Sequence, residues 1–283
     1  MDVLNAVLLK LTALVLAPFV DLPAQAALIV ISVIAGVLAA AAFRYTSNQD
    51  ALKRVADRVR ASMLAMRLFK DDLRSVFRAQ MSLFTASGLR LWYSLPPMVV
   101  LVIPFVFLLA QMAMWYEFRP LAPGEAALVE VALADASWDT AKIEMIAPDV
   151  VSIDAPPVYD PDSRKITWRI RPRAAALDNN PLMLAFAVDN DVVAEKQLVV
   201  DAAGGKDALL FVSPMRPSTN FWDRLLYPGE AAFDGDSPIQ SISISYGTRV
   251  NTICGFEFPW WGTFFIVSIL AALALKPVIK VQF

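Results

Sequence analysis

The side chains able to do chemistry in this sequence are few in kind. Histidine is absent and cysteine occurs once, at Cys254, which excludes Ser-His-Asp and Cys-His nucleophile pairs, histidine–zinc sites and a disulfide within the chain. Glycine is scarce at 10 residues, and no GxxxxGKS/T, GxGxxG or GxSxG occurs, so nucleotide cradles and the nucleophile elbow lack their loops. Acidic residues gather at Asp160/Asp162, at Asp189/Asp191, and at Asp223, Glu230, Asp234 and Asp236. None of these has the D-x-D-x-D-G spacing of a calcium loop, and acids in turns are ordinarily solvated. What remains is hydrogen-bonding chemistry in apolar surroundings. Gln111, Thr263 and Ser268 lie inside long uncharged runs, where a polar side chain bonds a neighbouring helix, and Arg44 closes such a run. These residue types predict neither an enzyme nor a bound cofactor or metal.

The elements that position those residues are membrane spans. The chain is 57% hydrophobic and 18% charged, against ~45–50% and ~25% in soluble domains. Ala26 to Phe43 is uncharged over 18 residues, enough for a helix to cross most of a ~30 Å hydrocarbon layer. Ser94 to Trp115 is a second uncharged run, with Pro96, Pro97 and Pro104 as entry and kink points and Trp92, Tyr93, Trp115 and Tyr116 as interfacial anchors. Phe258 to Leu275 is the third, with Trp260 and Trp261 at one interface and Lys276 and Lys280 at the other. Ala6 to Val20 is shorter and carries Lys10. It reads as a short span, an interfacial helix, or a signal peptide ending at Ala24-Gln25-Ala26.

Charge orients these spans. Between Arg44 and Arg90 ten Lys/Arg face four Asp, a balance of +6, whereas between Glu117 and Glu257 twelve Lys/Arg face twenty-one Asp/Glu, a balance of -9. The positive-inside rule therefore predicts spans at 26–43, 94–116 and 257–276, a cytoplasmic segment at 44–93, an exterior domain at 117–256 and a cytoplasmic tail at 277–283, after a short hydrophobic segment at 1–25.

In the cytoplasmic segment, Leu52, Val55, Val59, Met63, Met66, Leu73 and Phe77 recur mostly three or four residues apart. This spacing predicts amphipathic helices that start near residue 48, with Ser47 and Asp50 as a capping box, and break near Lys70-Asp71-Asp72. The basic face suits anionic headgroups, a ribosome, a nascent chain or a partner protein; no module that reads nucleic acid specifically is present.

The exterior domain alternates with a period of two at 128–133 and 166–171, and further strands are predicted at 141–147, 150–154, 182–188, 192–200, 207–213 and 238–246. About eight short strands separated by Pro, Asp, Asn and Gly clusters predict an all-β, immunoglobulin-like sandwich with Trp168 in its core. Phe221 to Glu230 mixes aromatics and charge and reads as a short amphipathic helix and turn, lying on the membrane or against the sandwich.

The order of an uncharged span, a basic helical segment, a proline-entered span, an exterior segment and a Trp-led span ending in Lys resembles the YidC/Oxa/Alb superfamily of membrane-protein insertases, most closely its minimal three-span, archaeal YidC-like type. The likeness is carried by Ala26 to Arg44, Ala51 to Gln80, Ser94 to Trp115, and Pro259-Trp260-Trp261-Gly262 through Leu275-Lys276-Pro277, about half of the chain. It implies a groove between the spans 26–43, 94–115 and 258–275, lined by Arg44, Gln111, Thr263 and Ser268. Arg54, Arg58, Met63, Met66 and Phe77 on the cytoplasmic helices would be the capture element. It also implies the lipid bilayer and nascent or client membrane proteins as partners, in a bacterial or archaeal plasma membrane. Bacterial members carry an arginine within the groove and a large exterior domain ahead of the core. Here Arg44 lies at the end of its span, and the sandwich lies between the second and third spans. The competing expectation is a non-catalytic anchor whose sandwich binds a fixed partner of an envelope complex. A channel is disfavoured, since few intramembrane ionisable residues exist to line an ion path.

Overall fold

The structure, a computed structural model, describes residues 2–19, 22–69, 72–134, 143–175, 182–188, 191–202, 209–253 and 256–279. Cys254, Lys280, the Asp189 carboxylate and part of the predicted strands at 141–147 and 207–213 lie outside these residues. Among the described residues three helices are long and apolar enough to cross a membrane: α2 (Ala24–Thr46), the 44-residue α4 (Leu73–Tyr116), and α6 (Trp260–Ile279). With no water in hydrocarbon to satisfy N–H and C=O groups, apolar runs of this length close their hydrogen bonds within the helix. Ahead of them come α1 (Asp2–Leu16), and between α2 and α4 comes α3 (Gln49–Leu68). The chain divides into two compact units, residues 1–28 with 107–262 and residues 29–106 with 263–283.

In the second unit α3 is capped by Asn48, whose side chain accepts from the Ala51 N–H at 3.0 Å. The start is where the sequence predicts, but the cap is Asn48 rather than Ser47, whose hydroxyl instead accepts from Gln49. Asp72 caps α4 by accepting from the Arg74 N–H at 3.1 Å; Lys70 and Asp71, where the sequence predicts the break, lie outside the described residues. A larger difference is that α4 is continuous. Pro96, Pro97 and Pro104 lie inside it and do not divide it. At ~1.5 Å per residue its length is about twice a ~30 Å hydrocarbon layer, so only part of it is needed to cross one.

In the first unit, α1 is tied down by Asn5, whose Nδ2 donates to the Arg224 carbonyl at 2.8 Å. Arg224 belongs to α5 (Phe221–Leu226) of the β-domain. The other end of α1 leads into the first turn of α2, which belongs to the same unit.

The β-domain is built from two antiparallel sheets. Its strands are β1 (Ala127–Leu133), β2 (Ile143–Ile146), β3 (Val151–Asp160), β4 (Lys165–Pro172), β5 (Leu182–Val188), β6 (Asp191–Leu198), β7 (Met215–Arg216) and β8 (Ile239–Ile244), and a hairpin of β9 (Asn251–Ile253) and β10 (Phe256–Phe258) precedes α6. One sheet has the order β3-β4-β1-β8-β7 and the other β2-β5-β6. Inward residues of both share one core, in which the Trp168 ring meets Phe186 edge-on at 6.0 Å. β3 runs through Pro156-Pro157, which the sequence reading treats as a break. It is an edge strand with register shifts at Ile153/Ala155 and Ala155/Val158, the setting in which proline is tolerated because no neighbour needs its N–H. Residues 209–213 form no strand; the Val212 N–H donates to the Met114 carbonyl of α4 at 2.8 Å.

Candidate functional site

The four polar residues expected to line a groove have separate surroundings. Ser268 is a packing residue: its Oγ donates to the Ser32 carbonyl at 2.9 Å, one turn before Gly36 on α2. A Cβ on Gly36 would lie 2.3 Å from the Ser268 carbonyl oxygen, so only glycine permits that approach. Thr263 and Gln111 are buried, and Thr263 Oγ1 and Gln111 Oε1 each lack a partner. Arg44 is exposed in the last turn of α2.

The hairpin of α3 and the first half of α4 divides the predicted apolar stripe in two. Leu52 is buried against Phe43 and Leu101, and Val55 is buried as well. Farther along, Met63 is 54% and Phe77 64% exposed, with Leu64, Leu68, Phe69, Leu73, Met81 and Phe84 also exposed. Met66 is half-buried, and Arg54 and Arg58 are exposed. The two helices touch through small residues, Ser62 Oγ donating to Ser82 Oγ at 3.0 Å. That close seam leaves an open groove of about 380 Å³ whose lining includes Arg58, Ala61, Ala65, Phe69, Arg78 and Ala79. Of the expected capture residues, the groove therefore gathers only Arg58, while Met63 and Phe77 stand on the outside.

The aromatic anchors differ among themselves. Trp92, Tyr93 and Trp261 are exposed, as interfacial residues are. Trp115 is half-buried against Phe211, ring centroids 5.4 Å apart. Trp260 is only 5% exposed and stacks near Tyr116 at 6.3 Å, so it is a packed residue rather than a free anchor. A cavity of about 290 Å³ adjoins it, lined by Glu117, Arg249, Glu257, Phe258 and Trp261 among others.

Sequence reading missed the one fully buried lysine among the described residues. Lys196 in β6 is 0% exposed and donates to the Glu230 carboxylate and, at 2.7 Å, to the Ser213 carbonyl. Burial pushes its pKa down and Glu230 opposes that shift. Gly229 lets this loop pass close to Ser213, since a Cβ there would lie 2.7 Å from the Ser213 side chain. The signal was present in the period of two: Ala194, Lys196 and Leu198 share the inward face of β6. Behind the same loop, Tyr246 accepts from the Val199 N–H at 3.0 Å, and burial raises its phenol pKa.

The acidic residues flagged in the sequence disperse. Asp160 closes a turn, held below the ordinary carboxylate range by the Ser163 hydroxyl and backbone N–H groups. Asp223 accepts from Ser218 Oγ at 2.7 Å and shares with Asp234, Asn220, Ser237 and Gln240 a polar cavity of about 410 Å³. No three metal-ligating side chains come together among the described residues.

No protein-family model, curated protein or solved structure matches the chain. The functional reading rests on its own residues.

Proposed function

We propose that the chain is a YidC-like membrane-protein insertase or membrane chaperone, with its helical hairpin in the cytoplasm and an immunoglobulin-like β-domain outside. The observation that carries this reading is the run of exposed apolar side chains, Met63, Phe69, Leu73, Phe77, Met81 and Phe84, on a hairpin that also presents Arg54, Arg58 and Arg78. A soluble helix of ordinary kind would cover such a surface. Adaptable methionine and phenylalanine side chains suit transient contact with many apolar segments, and the arginines suit the anionic headgroups into which a client is delivered. The work required is the passage of polar groups through hydrocarbon, several kcal/mol for each unsatisfied group, and a sheltering surface lowers it without a cofactor. Liposomes containing the purified chain are expected to accelerate insertion of a short-tailed single-span substrate over empty liposomes. Equal insertion in the two would end this reading.

A second reading is favoured by the β-domain cavity around Asp223 and Asp234, which suits a binding module: an anchor subunit of an envelope complex, holding a fixed partner through the sandwich. A stable stoichiometric partner in mild detergent supports it; a solitary particle counts against it.

A further inference from the structure

We propose that the polar cavity of the β-domain binds a neutral sugar in its pyranose form. The inference rests on the reading of the β-domain as a binding module and gives that module a ligand class. Four pieces of chain build the cavity: the residue after β1, Ala134, the segments 218–223 and 233–237, and the start of β8 at Ile239 and Gln240. Backbone hydrogen bonds fix these pieces in place. The Ala134 N–H donates to the Pro238 carbonyl at 3.0 Å, the Phe233 N–H to the Pro217 carbonyl at 3.1 Å and the Ser237 N–H to the Asp234 carbonyl at 3.1 Å. The buried part of the lining is apolar, Phe233 at 6% and Ile239 at 0% exposed. Arg216 covers one face of the Phe233 ring, 4.2 Å from its centroid, and is itself held by the Ala231 and Glu195 carbonyls at 3.1 and 3.0 Å, so this floor is rigid.

The walls are polar, and only part of their hydrogen-bonding capacity is used. Asp223 accepts from Ser218 Oγ at 2.7 Å, and Asn220 Oδ1 accepts from the Trp222 N–H at 3.2 Å, which leaves the Asn220 amide nitrogen to give. Thr219, Asp234 and Gln240 are exposed, and their side chains hold no hydrogen bond among the described residues. The cavity therefore offers two carboxylates as acceptors beside two amides and a hydroxyl as donors, with no cation in its lining. That set selects the guest. An anion meets Asp223 and Asp234 with no counter-charge, a juxtaposition that costs affinity. A metal ion gains nothing from amide N–H groups, and no three metal-ligating side chains come together among the described residues. Each hydroxyl of a sugar donates and accepts at once, so neighbouring hydroxyls engage both kinds of wall group, and their bonds to the carboxylates are charge-assisted. The C–H face of the ring covers the apolar floor. The volume, about 410 Å³, lies within the range of small-ligand sites (~300–1,000 Å³) and admits a pyranose ring with room for part of the next.

The test is a glycan array probed with the full chain in phospholipid nanodiscs, free of sugar-based detergent. Glycans ending in a neutral hexose or N-acetylhexosamine are expected to retain the chain about tenfold over the same glycans ending in a hexuronic acid, the scale of one charge-assisted hydrogen bond. Asp234→Ala should lower that retention about tenfold and Gln240→Ala about fivefold, as charged and neutral hydrogen bonds scale. Both side chains are exposed, and a circular dichroism melt of each variant confirms the fold. Asp236→Ala, which removes an exposed acid outside the lining, should leave retention unchanged. Retention of no neutral glycan, equal retention of neutral and uronic-acid ends, or retention unchanged when Asp234→Ala and Gln240→Ala are combined in a folded chain overturns the proposal. A protein partner that still co-purifies in that case leaves the anchor reading standing. Free hexose is the second arm: displacement of the glycan at equal concentration assigns the cavity to a soluble sugar, and displacement only in large excess assigns it to the end of a glycan chain.

Discussion

Gly36→Ala is the sharpest probe of the helical core, because the added methyl meets backbone rather than a movable side chain. Its Cβ would lie 2.3 Å from the Ser268 carbonyl oxygen and 2.9 Å from the Ser268 carbonyl carbon and Cα. Ordinary contact begins near ~3.5 Å, so α6 must withdraw by about 1 Å. That movement stretches the Ser268 Oγ to Ser32 O bond from 2.9 Å beyond hydrogen-bonding range. Overpacking of this kind costs about 1–3 kcal/mol, and an interhelical hydrogen bond in membrane adds about 0.6 kcal/mol. Against these, alanine gains about 1 kcal/mol of helix propensity over glycine. The net expectation is a loss of about 0.6–2.6 kcal/mol, read as reversible unfolding in mixed micelles. Ser268→Ala alone should cost about 0.6 kcal/mol, and the double variant should lose less than the sum, since the first substitution has already broken the bond. A Gly36→Ala chain as stable as the parent, or more so, would show that α2 and α6 do not approach as described.

Other outcomes follow from the β-domain and the hairpin. Lys196→Met or Glu230→Gln alone leaves an uncompensated group in the core and should destabilise the domain by about 3–5 kcal/mol in chemical denaturation, whereas the pair of changes together should cost clearly less. Trp168→Ala removes the ring that joins the two sheets against Phe186 and should cost about 3–5 kcal/mol. Arg119 grips Glu125 with two hydrogen bonds, at 2.6 and 2.8 Å, and holds its carboxyl below its usual value. The stability this pair contributes is therefore full above the ordinary glutamate pKa of 4.5 and is lost as pH falls through the lowered one. In a pH series of melts, Glu125→Gln should flatten that acid limb and leave the neutral-pH slope unchanged.

Much of the architecture is legible in the residues because its physics is local. Uncharged runs of 18 or more residues mark α2 and α6, and strict alternation marks β1 and β4, since a bilayer and a half-buried sheet each impose a period on the chain. β5 and α5 likewise lie where the pattern sets them. What escaped depends on neighbours. The persistence of β3 through Pro156-Pro157 follows from its edge position, and β7, β9 and β10 are too short for a period to appear. The continuity of α4 through three prolines contradicts the break that proline favours. At the candidate sites, the polar character of Ser268, Thr263 and Gln111 was readable, but the closeness of Ser268 to Gly36 and the orphaned oxygens of the other two were not. The pairing of Lys196 with Glu230 joins positions 34 apart, a relation that only the folded sandwich creates. Exposure of Met63 and Phe77 reverses the simplest meaning of an amphipathic stripe, which is burial.

The most direct test of the account is site-specific photocrosslinking in native membranes, with probes at Met63 and Phe77 on the exposed hairpin surface and at Gln111 as the buried comparison. A client-handling surface predicts many adducts of different size from the two hairpin positions, appearing with active translation and fading when translation is blocked, with few from Gln111. One or two discrete adducts that persist through the block would contradict transient client handling and establish the hairpin as the interface of a standing complex.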